Sequence, residues 1–99
     1  METALTHDAF AQQANSKFQV EVDENTGVEL ELAEVSELKV YPQQEEFVLL
    51  FRGPVDVFLG QGARNFSHDQ MGQFELFIVP VRQDAQGFYY EAVFNRIRE

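Results

Sequence analysis

The chain contains no cysteine and no tryptophan, and only 7 of its 99 residues are lysine or arginine. The absence of cysteine excludes a disulfide framework and thiol chemistry. With 17 acidic residues and a formal net charge of −10, the chain lacks the basic surface that phosphate binding requires. We therefore expect neither nucleic acid nor an anionic membrane surface as a partner. No run of 18 apolar residues is present, which excludes a membrane-spanning helix.

The amino-terminal residues also lack the features of a targeting signal. Residues 1–4 have neither the basic region nor the apolar region of a secretory signal. Together with the absence of cysteine, this predicts a cytoplasmic location. The chain is 44% hydrophobic and 13% aromatic, which favours one packed domain over residues 1–99 rather than disorder.

Apolar runs bounded by turn residues predict the strongest strands. Residues 47–51 are uninterruptedly apolar and stop at Arg52-Gly53-Pro54, which is typical of a central strand covered on both faces. Residues 74–81 and 88–94 predict two further strands, joined by a turn at residues 84–87. The second of these three strands contains Pro80, which belongs near an edge, a bulge or a strand end.

An acidic β-hairpin is predicted before the central strand. Alternating apolar residues at 18–22 and 28–32 flank a turn at 23–27. If Val22 lies opposite Val28, the outer face brings Glu21 near Glu29, a like-charge pair that costs about 0.2–1 kcal/mol.

The same register brings Gln19 near Glu31 on the outer face of the hairpin. After Leu32 the alternation changes phase, which indicates a bulge near residues 33–34.

The chain begins with a predicted helix. Thr6 is a suitable N-cap, and Leu5 and Phe10 occupy the two positions of a hydrophobic staple. We expect the helix to continue to about Ala14. The predicted fold is therefore α+β and mostly β, with a short N-terminal helix followed by about six or seven antiparallel strands that form a small closed or partly open barrel.

No catalytic constellation is evident. His7 and His68 are each followed by Asp, but a metal site requires three or four converging ligands. Ser67-His68-Asp69 contains the three residue types of a catalytic triad, yet consecutive residues of a strand point to opposite faces. We therefore predict a non-enzymatic protein with no cofactor and no metal site.

Six acidic residues within fourteen positions are the most informative polar feature: Glu21, Asp23, Glu24, Glu29, Glu31 and Glu34. A solvated outer face is the first interpretation, a contact for a basic protein is the second, and a cation site is the third. The turn lacks the regular ligand spacing of an EF-hand loop.

Two further features remain open to interpretation. Arg52 ends an apolar strand, where it forms either a structural ion pair or an exposed anion contact. The apolar loop at residues 55–59 either covers a barrel end or forms a contact surface. The candidate interaction residues are Glu21, Glu29, Glu31, Arg52, Val57 and Phe58.

Three segments together resemble a family of small, uncharacterised bacterial single-domain proteins. These segments are Leu-Leu-Phe-Arg-Gly-Pro at 49–54, Leu-Phe-Ile-Val-Pro-Val at 76–81 and Tyr-Glu-Ala-Val-Phe-Asn at 90–95. In that family the second run reads Leu-Phe-Leu-Val-Pro-Val. The resemblance implies a compact bacterial β-rich domain, and it brings no activity, cofactor or catalytic residue.

The functional hypothesis is a non-enzymatic interaction or structural module. Its acidic face would bind an unknown protein partner, and self-association through an exposed strand edge or the apolar loop is a second form of the same hypothesis. The alternative is a small-molecule-binding β-barrel in which Phe and Tyr rings line a cavity.

Overall fold

The computed structural model describes residues 5–97, and for Arg96 the backbone alone. Within that range no helix has the length and apolar character needed to cross a membrane. The elements, in chain order, are α1 (His7–Ala11), β1 (Lys17–Asp23), β2 (Thr26–Val35), β3 (Lys39–Val40), β4 (Gln44–Gly53), β5 (Gly62–His68), β6 (Gly72–Asp84) and β7 (Gly87–Ile97).

Six of the strands form a closed antiparallel barrel. The strand order is β2-β1-β5-β6-β7-β4-β3, and an additional pairing between β2 and β4 closes the barrel. The two-residue strand β3 lies outside the barrel and pairs with β4. The predicted mostly-β barrel is thus confirmed in its closed form, and its helical part is limited to one short helix.

Strand β4 is the best-connected strand, because it pairs with β2, β3 and β7. Its inward residues Phe47, Leu49 and Phe51 are buried, whereas Val48 and Leu50 are half-buried on the outside. The prediction that both faces are covered is therefore wrong, since a strand of a barrel without an outer layer has one covered face. The core consists of Phe10, Phe18, Val20, Val28, Leu30, Leu32, Phe47, Leu49, Phe51, Leu59, Phe66, Met71, Leu76, Ile78, Tyr90 and Ala92.

Helix α1 closes one end of the barrel. Thr6 caps it as predicted, because its Oγ1 accepts a hydrogen bond from the backbone N–H of Ala9 at 3.1 Å. The helix ends at Ala11 rather than near Ala14, and Asn15 has a positive φ of 70°. Phe10 is fully buried against four rings, those of Phe18, Phe47, Phe74 and Phe94.

The loop at residues 54–61 covers the Tyr90 side of the core. Leu59 is buried, and its N–H donates a hydrogen bond to the Tyr90 hydroxyl at 3.0 Å. Val57 is half-buried against the core, whereas Val55 and Phe58 are exposed. Leu59 and Val57 therefore cover the core, as one interpretation of this loop expected, whereas the contact-surface interpretation of the exposed residues stays a prediction.

The predicted bulge near residues 33–34 is present, and Pro80 lies at a register shift, one of the three kinds of position expected for it. The register between β2 and β4 shifts between Leu32 and Glu34, and the register between β6 and β7 shifts between Pro80 and Arg82. Strand β7 continues to Ile97 in pairing with β4, so the strand predicted over residues 88–94 ends three residues too early.

Candidate functional site

The register of the β1–β2 hairpin differs from the predicted one. Val20, rather than Val22, lies opposite Val28, and Glu21 lies opposite Gly27 instead of approaching Glu29. The predicted like-charge pair is therefore wrong.

The cause of the difference is the turn. Asp23 pairs with Thr26, so that only Glu24 and Asn25 lie between the strands, and the register shifts between Glu21 and Asp23. A tight turn with a bulge thus replaces the five-residue turn that the sequence predicted.

In this register Glu29 and Glu31 of β2 lie beside cations or amides. Glu29 lies opposite Gln19, whose Nε2 donates a hydrogen bond to Glu29 Oε2 at 3.1 Å. The Lys17 Nζ lies 3.5 Å from Glu29 Oε1, and Lys17 itself lies opposite Glu31. The negative charge of Glu29 is therefore partly compensated within the chain.

Glu31 forms an ion pair with Arg52 across the β2–β4 ladder that closes the barrel. The Arg52 side chain is 35% exposed and that of Glu31 is 23% exposed. Arg52 Nη1 also donates a hydrogen bond to Gln86 Oε1 at 3.3 Å. These contacts favour the structural interpretation of Arg52 over an exposed anion contact.

The ion pair belongs to a row of side chains across four strands. Tyr89 lies opposite Arg52 on β4 and opposite Arg82 on β6. The Arg82 guanidinium carbon lies 4.2 Å from the centre of the Tyr89 ring, a cation–π geometry. Glu31, Arg52, Tyr89 and Arg82 thus occupy paired positions on β2, β4, β7 and β6. This row of side chains holds the four neighbouring strands together.

An acidic cleft of about 630 Å³ lies beside the hairpin turn, on β1, β5 and β6. Its polar lining includes Asn65 and Ser67. None of its described lining residues is Lys or Arg. We name it the acidic cleft after its four carboxylate residues, Glu21, Asp23, Glu24 and Glu75.

Two of these carboxylates are held in place by hydrogen bonds. The backbone N–H of Asn25 donates to Asp23 Oδ1 at 2.9 Å and, with the Thr26 side chain, holds the pKa of Asp23 below its ordinary value. Asn65 Nδ2 donates to Glu21 Oε2 at 3.0 Å. Glu24 and Glu75 are exposed, so their carboxylates face solvent at the cleft.

Three of the four carboxylates of the cleft belong to the acidic hairpin singled out from the sequence, whereas Glu75 carries no local signal. Glu75 belongs to β6 and lies opposite Asn65 of β5, far along the chain from the acidic hairpin. The cleft combines Glu21, from the predicted candidates, with residues from two later strands. It does not include Glu29, Glu31 or Arg52.

The two apolar candidates lie on the loop that covers the barrel end. Neither Val57 nor Phe58 lines the acidic cleft. The Phe58 ring is 59% exposed and contacts the ring of Phe88 edge-on, with 5.2 Å between ring centres.

The structure brings His68 together with Ser16, which is 52 residues away in the chain. Ser16 Oγ lies 2.9 Å from His68 Nε2, and the backbone N–H of Gln70 donates to His68 Nδ1 at 3.0 Å. Since Nδ1 accepts, a neutral imidazole carries its proton on Nε2 and donates it to Ser16. That tautomer cannot take the hydroxyl proton from Ser16, as a catalytic base must. The pair therefore fixes the β5–β6 turn to the segment after α1.

The His7 side chain also contacts the backbone. Its Nε2 lies 2.8 Å from the carbonyl oxygen of Ser36. Among the described residues, no group of three or more His, Cys, Asp or Glu side chains is arranged to hold a metal ion.

Comparison with known proteins yields one match. The model of a family described as a domain of unknown function (DUF6916) matches residues 5–94. No curated protein and no solved structure matches the chain.

Proposed function

Because the chain belongs to the DUF6916 family, whose description carries no activity, we propose a function from the geometry of the barrel surface. The protein is a non-enzymatic interaction module, and its acidic cleft binds a positively charged segment of a protein partner.

The charge of the acidic cleft carries this proposal. Glu24 and Glu75 add exposed carboxylates to Glu21 and Asp23. Glu29 and Glu31, by contrast, have Lys17 and Arg52 as neighbours, and among the described residues no Lys or Arg forms an ion pair with a carboxylate of the cleft. A cleft of one sign attracts a partner of the opposite sign and speeds its association.

The interior of the barrel supports an interaction module over a ligand-binding barrel. A ligand site in a barrel needs an unfilled interior. Here Phe18, Phe51, Phe66 and Tyr90 are each at most 1% exposed. The rings of Phe18 and Phe51 lie 5.5 Å apart, and those of Phe51 and Phe66 lie 5.1 Å apart, so side chains occupy this part of the interior.

A charge-reversal experiment tests the acidic cleft. Glu24→Lys with Glu75→Lys reverses two of its exposed carboxylates, and Glu34→Lys with Glu37→Lys makes the same change in net charge at exposed sites outside it. Immobilised wild type, cleft variant and control variant are each incubated with a lysate of the source organism. We expect partners of wild type to be retained by the control variant and lost from the cleft variant.

Two results would contradict the proposal. One is capture of the same proteins by all three immobilised forms, after circular dichroism and thermal melting show that each is folded. The other is a rise in melting temperature with a small metabolite, because a ligand that binds only the native state stabilises it. That second result would favour the ligand-binding alternative instead.

A further inference from the structure

Three hairpin turns of the barrel contain the same hydrogen bond, in which the last residue of a strand accepts from the backbone N–H two positions later. At the β1–β2 turn, Asp23 Oδ1 accepts from the N–H of Asn25 at 2.9 Å. At the β6–β7 turn, Asp84 Oδ1 accepts from the N–H of Gln86 at 2.8 Å. An aspartate in this position is a common way to begin a reversal of the chain.

At the β5–β6 turn a histidine takes the place of the aspartate. His68 is the last residue of β5, and its Nδ1 accepts from the backbone N–H of Gln70 at 3.0 Å. It pairs with Gly72, the first residue of β6, whose φ is 77°. The three turns therefore share one hydrogen-bond pattern, but the acceptor is a carboxylate in two of them and an imidazole nitrogen in the third.

The two kinds of acceptor respond differently to pH. The backbone contact favours the ionised carboxylate, and it is the chief cause that holds the pKa of Asp23 and that of Asp84 below the ordinary value. Both carboxylates therefore accept at neutral and mildly acidic pH. Histidine side chains in general gain a second proton near about pH 6.5. When Nδ1 of an imidazole carries that proton, it donates and no longer accepts.

We propose that the β5–β6 turn is a pH-sensitive element of the fold: protonation of His68 breaks the hydrogen bond from Gln70 and opens the turn, while the two aspartate turns stay closed. The contact with Ser16 survives, because Nε2 carries a proton in both states. The change is therefore confined to residues 69–71. Met71, in this turn, is 4% exposed and belongs to the core, so its thioether becomes accessible when the turn opens.

The charged groups around His68 do not replace the lost hydrogen bond. A second cleft, beside the β5–β6 turn, is lined by His68 together with Lys17 of β1, Glu29 of β2 and Asp69 of the turn. The described lining residues from β6 and from the segment after α1 carry no charge. Lys17 and Glu29 pair with each other at 3.5 Å, and within residues 5–97 His68 has no ion pair. The Phe18 ring, 4.3 Å away between ring centres, covers the imidazole on the core side.

His7 provides the contrast and the control. Its Nε2 lies 2.8 Å from the carbonyl oxygen of Ser36, to which it donates, and its Nδ1 lies 3.7 Å from Asp8 Oδ1. A second proton on Nδ1 would face a carboxylate and leave the bond to Ser36 intact, so protonation of His7 breaks no contact. With two histidines and no cysteine, the chain has no other side chain that ordinarily titrates between about pH 5 and 8.

Oxidation of Met71 measures the opening of the turn. Wild type is treated with hydrogen peroxide at about pH 8 and about pH 5, on either side of the ordinary titration of histidine. Peptide mass spectrometry gives the rate at which Met71 becomes the sulfoxide. That rate is divided by the rate for Met71 in the urea-unfolded chain at the same pH. We expect this ratio to rise roughly two- to twelvefold at the lower pH, the change that loss of one hydrogen bond gives.

Two variants separate the histidines. His68→Asn keeps an oxygen at the position of Nδ1, which accepts from the N–H of Gln70 but does not titrate. Its ratio should therefore be the same at both pH values. His7→Asn is the matched control, and its ratio should rise as in wild type.

Three results would overturn the proposal: a wild-type ratio that is the same at both pH values, an equal rise in His68→Asn, or loss of the rise in His7→Asn. Melting curves at both pH values establish that each variant is folded. If His68→Asn does not fold, NMR of wild type decides. The Gln70 amide signal must then shift together with the ring signals of His68, and an amide signal that stays fixed while the ring titrates refutes the proposal. The response of the turn does not depend on the partner proposed for the acidic cleft.

Discussion

At the scale of single residues, two glycines explain why an apolar strand ends in Arg-Gly-Pro. A Cβ on Gly53 would lie 2.6 Å from Leu30 Cδ2 and 3.4 Å from Tyr90 Cε2. Gly87 has a φ of 146°, and a Cβ there would overlap the carbonyl oxygen of Gly53. The two backbones approach closely because neither residue carries a side chain.

This close approach gives a prediction about Gly87. Gly87→Ala forces a strained φ and a backbone overlap, so we expect the free energy of unfolding to fall by at least ~2 kcal/mol. Gly60→Ala is the matched control, because a Cβ at Gly60 meets no atom within 4 Å, and it should change the free energy by less than ~0.5 kcal/mol. Urea denaturation measures both, and equal losses would contradict the close approach.

The hydroxyl of Tyr90 gives a pH-dependent prediction. Burial raises the pKa of Tyr90 above its ordinary value of 10.0, although the Leu59 N–H and the charge of Arg64 act in the opposite direction. The folded state therefore holds this proton more tightly than the unfolded state. This contribution to stability is complete below pH 10 and is lost as the pH rises through the folded-state pKa.

Tyr90→Phe should remove this alkaline loss. At neutral pH the variant should be less stable than wild type by ~1–3 kcal/mol, because the buried Leu59 N–H loses its acceptor. Urea denaturation from neutral pH to above pH 10 should show that the deficit shrinks as the pH rises. Tyr41→Phe, at an exposed tyrosine, is the control, and parallel pH profiles for wild type and Tyr90→Phe would refute the assignment.

At the scale of elements, α1 depends on its packing against the barrel. Five residues are too few for an isolated helix to be stable in water, and Phe10, the buried residue of α1, packs against four surrounding rings.

Phe10→Ala should therefore lower the free energy of unfolding by ~3–5 kcal/mol, as for large buried side chains in general. Gln12→Ala, at the exposed end of the same helix, should cost less than ~0.5 kcal/mol. Chemical denaturation followed by tyrosine fluorescence measures both variants. A loss below ~1 kcal/mol for Phe10→Ala would show that the barrel end is closed without α1.

An element could be predicted from the sequence where its signal lies in residues that are neighbours along the chain. The Thr6 cap was predictable because it involves neighbours in sequence. The hairpin register was not, because pairing Val20 or Val22 with Val28 differs by two residues, and a shift of two leaves every side chain on its original face. Hydrophobic alternation therefore cannot distinguish the two registers, and only the turn geometry does.

At the scale of the whole molecule, barrel closure and the acidic cleft were the parts that sequence left open. The pattern favoured a closed or partly open barrel, but the β2–β4 pairing that closes it joins strands separated by β3 and two turns. Val48 and Leu50 made β4 look covered on both sides, since apolar residues on an outer face hide the alternation. Glu75 lies at the acidic cleft because β6 pairs with β5. A single acidic residue in the sequence does not predict that strand pairing.

The long ladder between β4 and β7 has a consequence for synthesis of the protein on the ribosome. Its ten register pairs extend from Gly53 opposite Phe88 to Gln44 opposite Ile97, so β4 is made 44 residues before this partner strand is complete (97 minus 53). At about 5–20 residues per second, that interval lasts roughly 2–9 seconds. Throughout it, Phe47, Leu49 and Phe51 lack the barrel that buries them, so this apolar strand is accessible to chaperones from the moment it leaves the exit tunnel until β7 pairs with it.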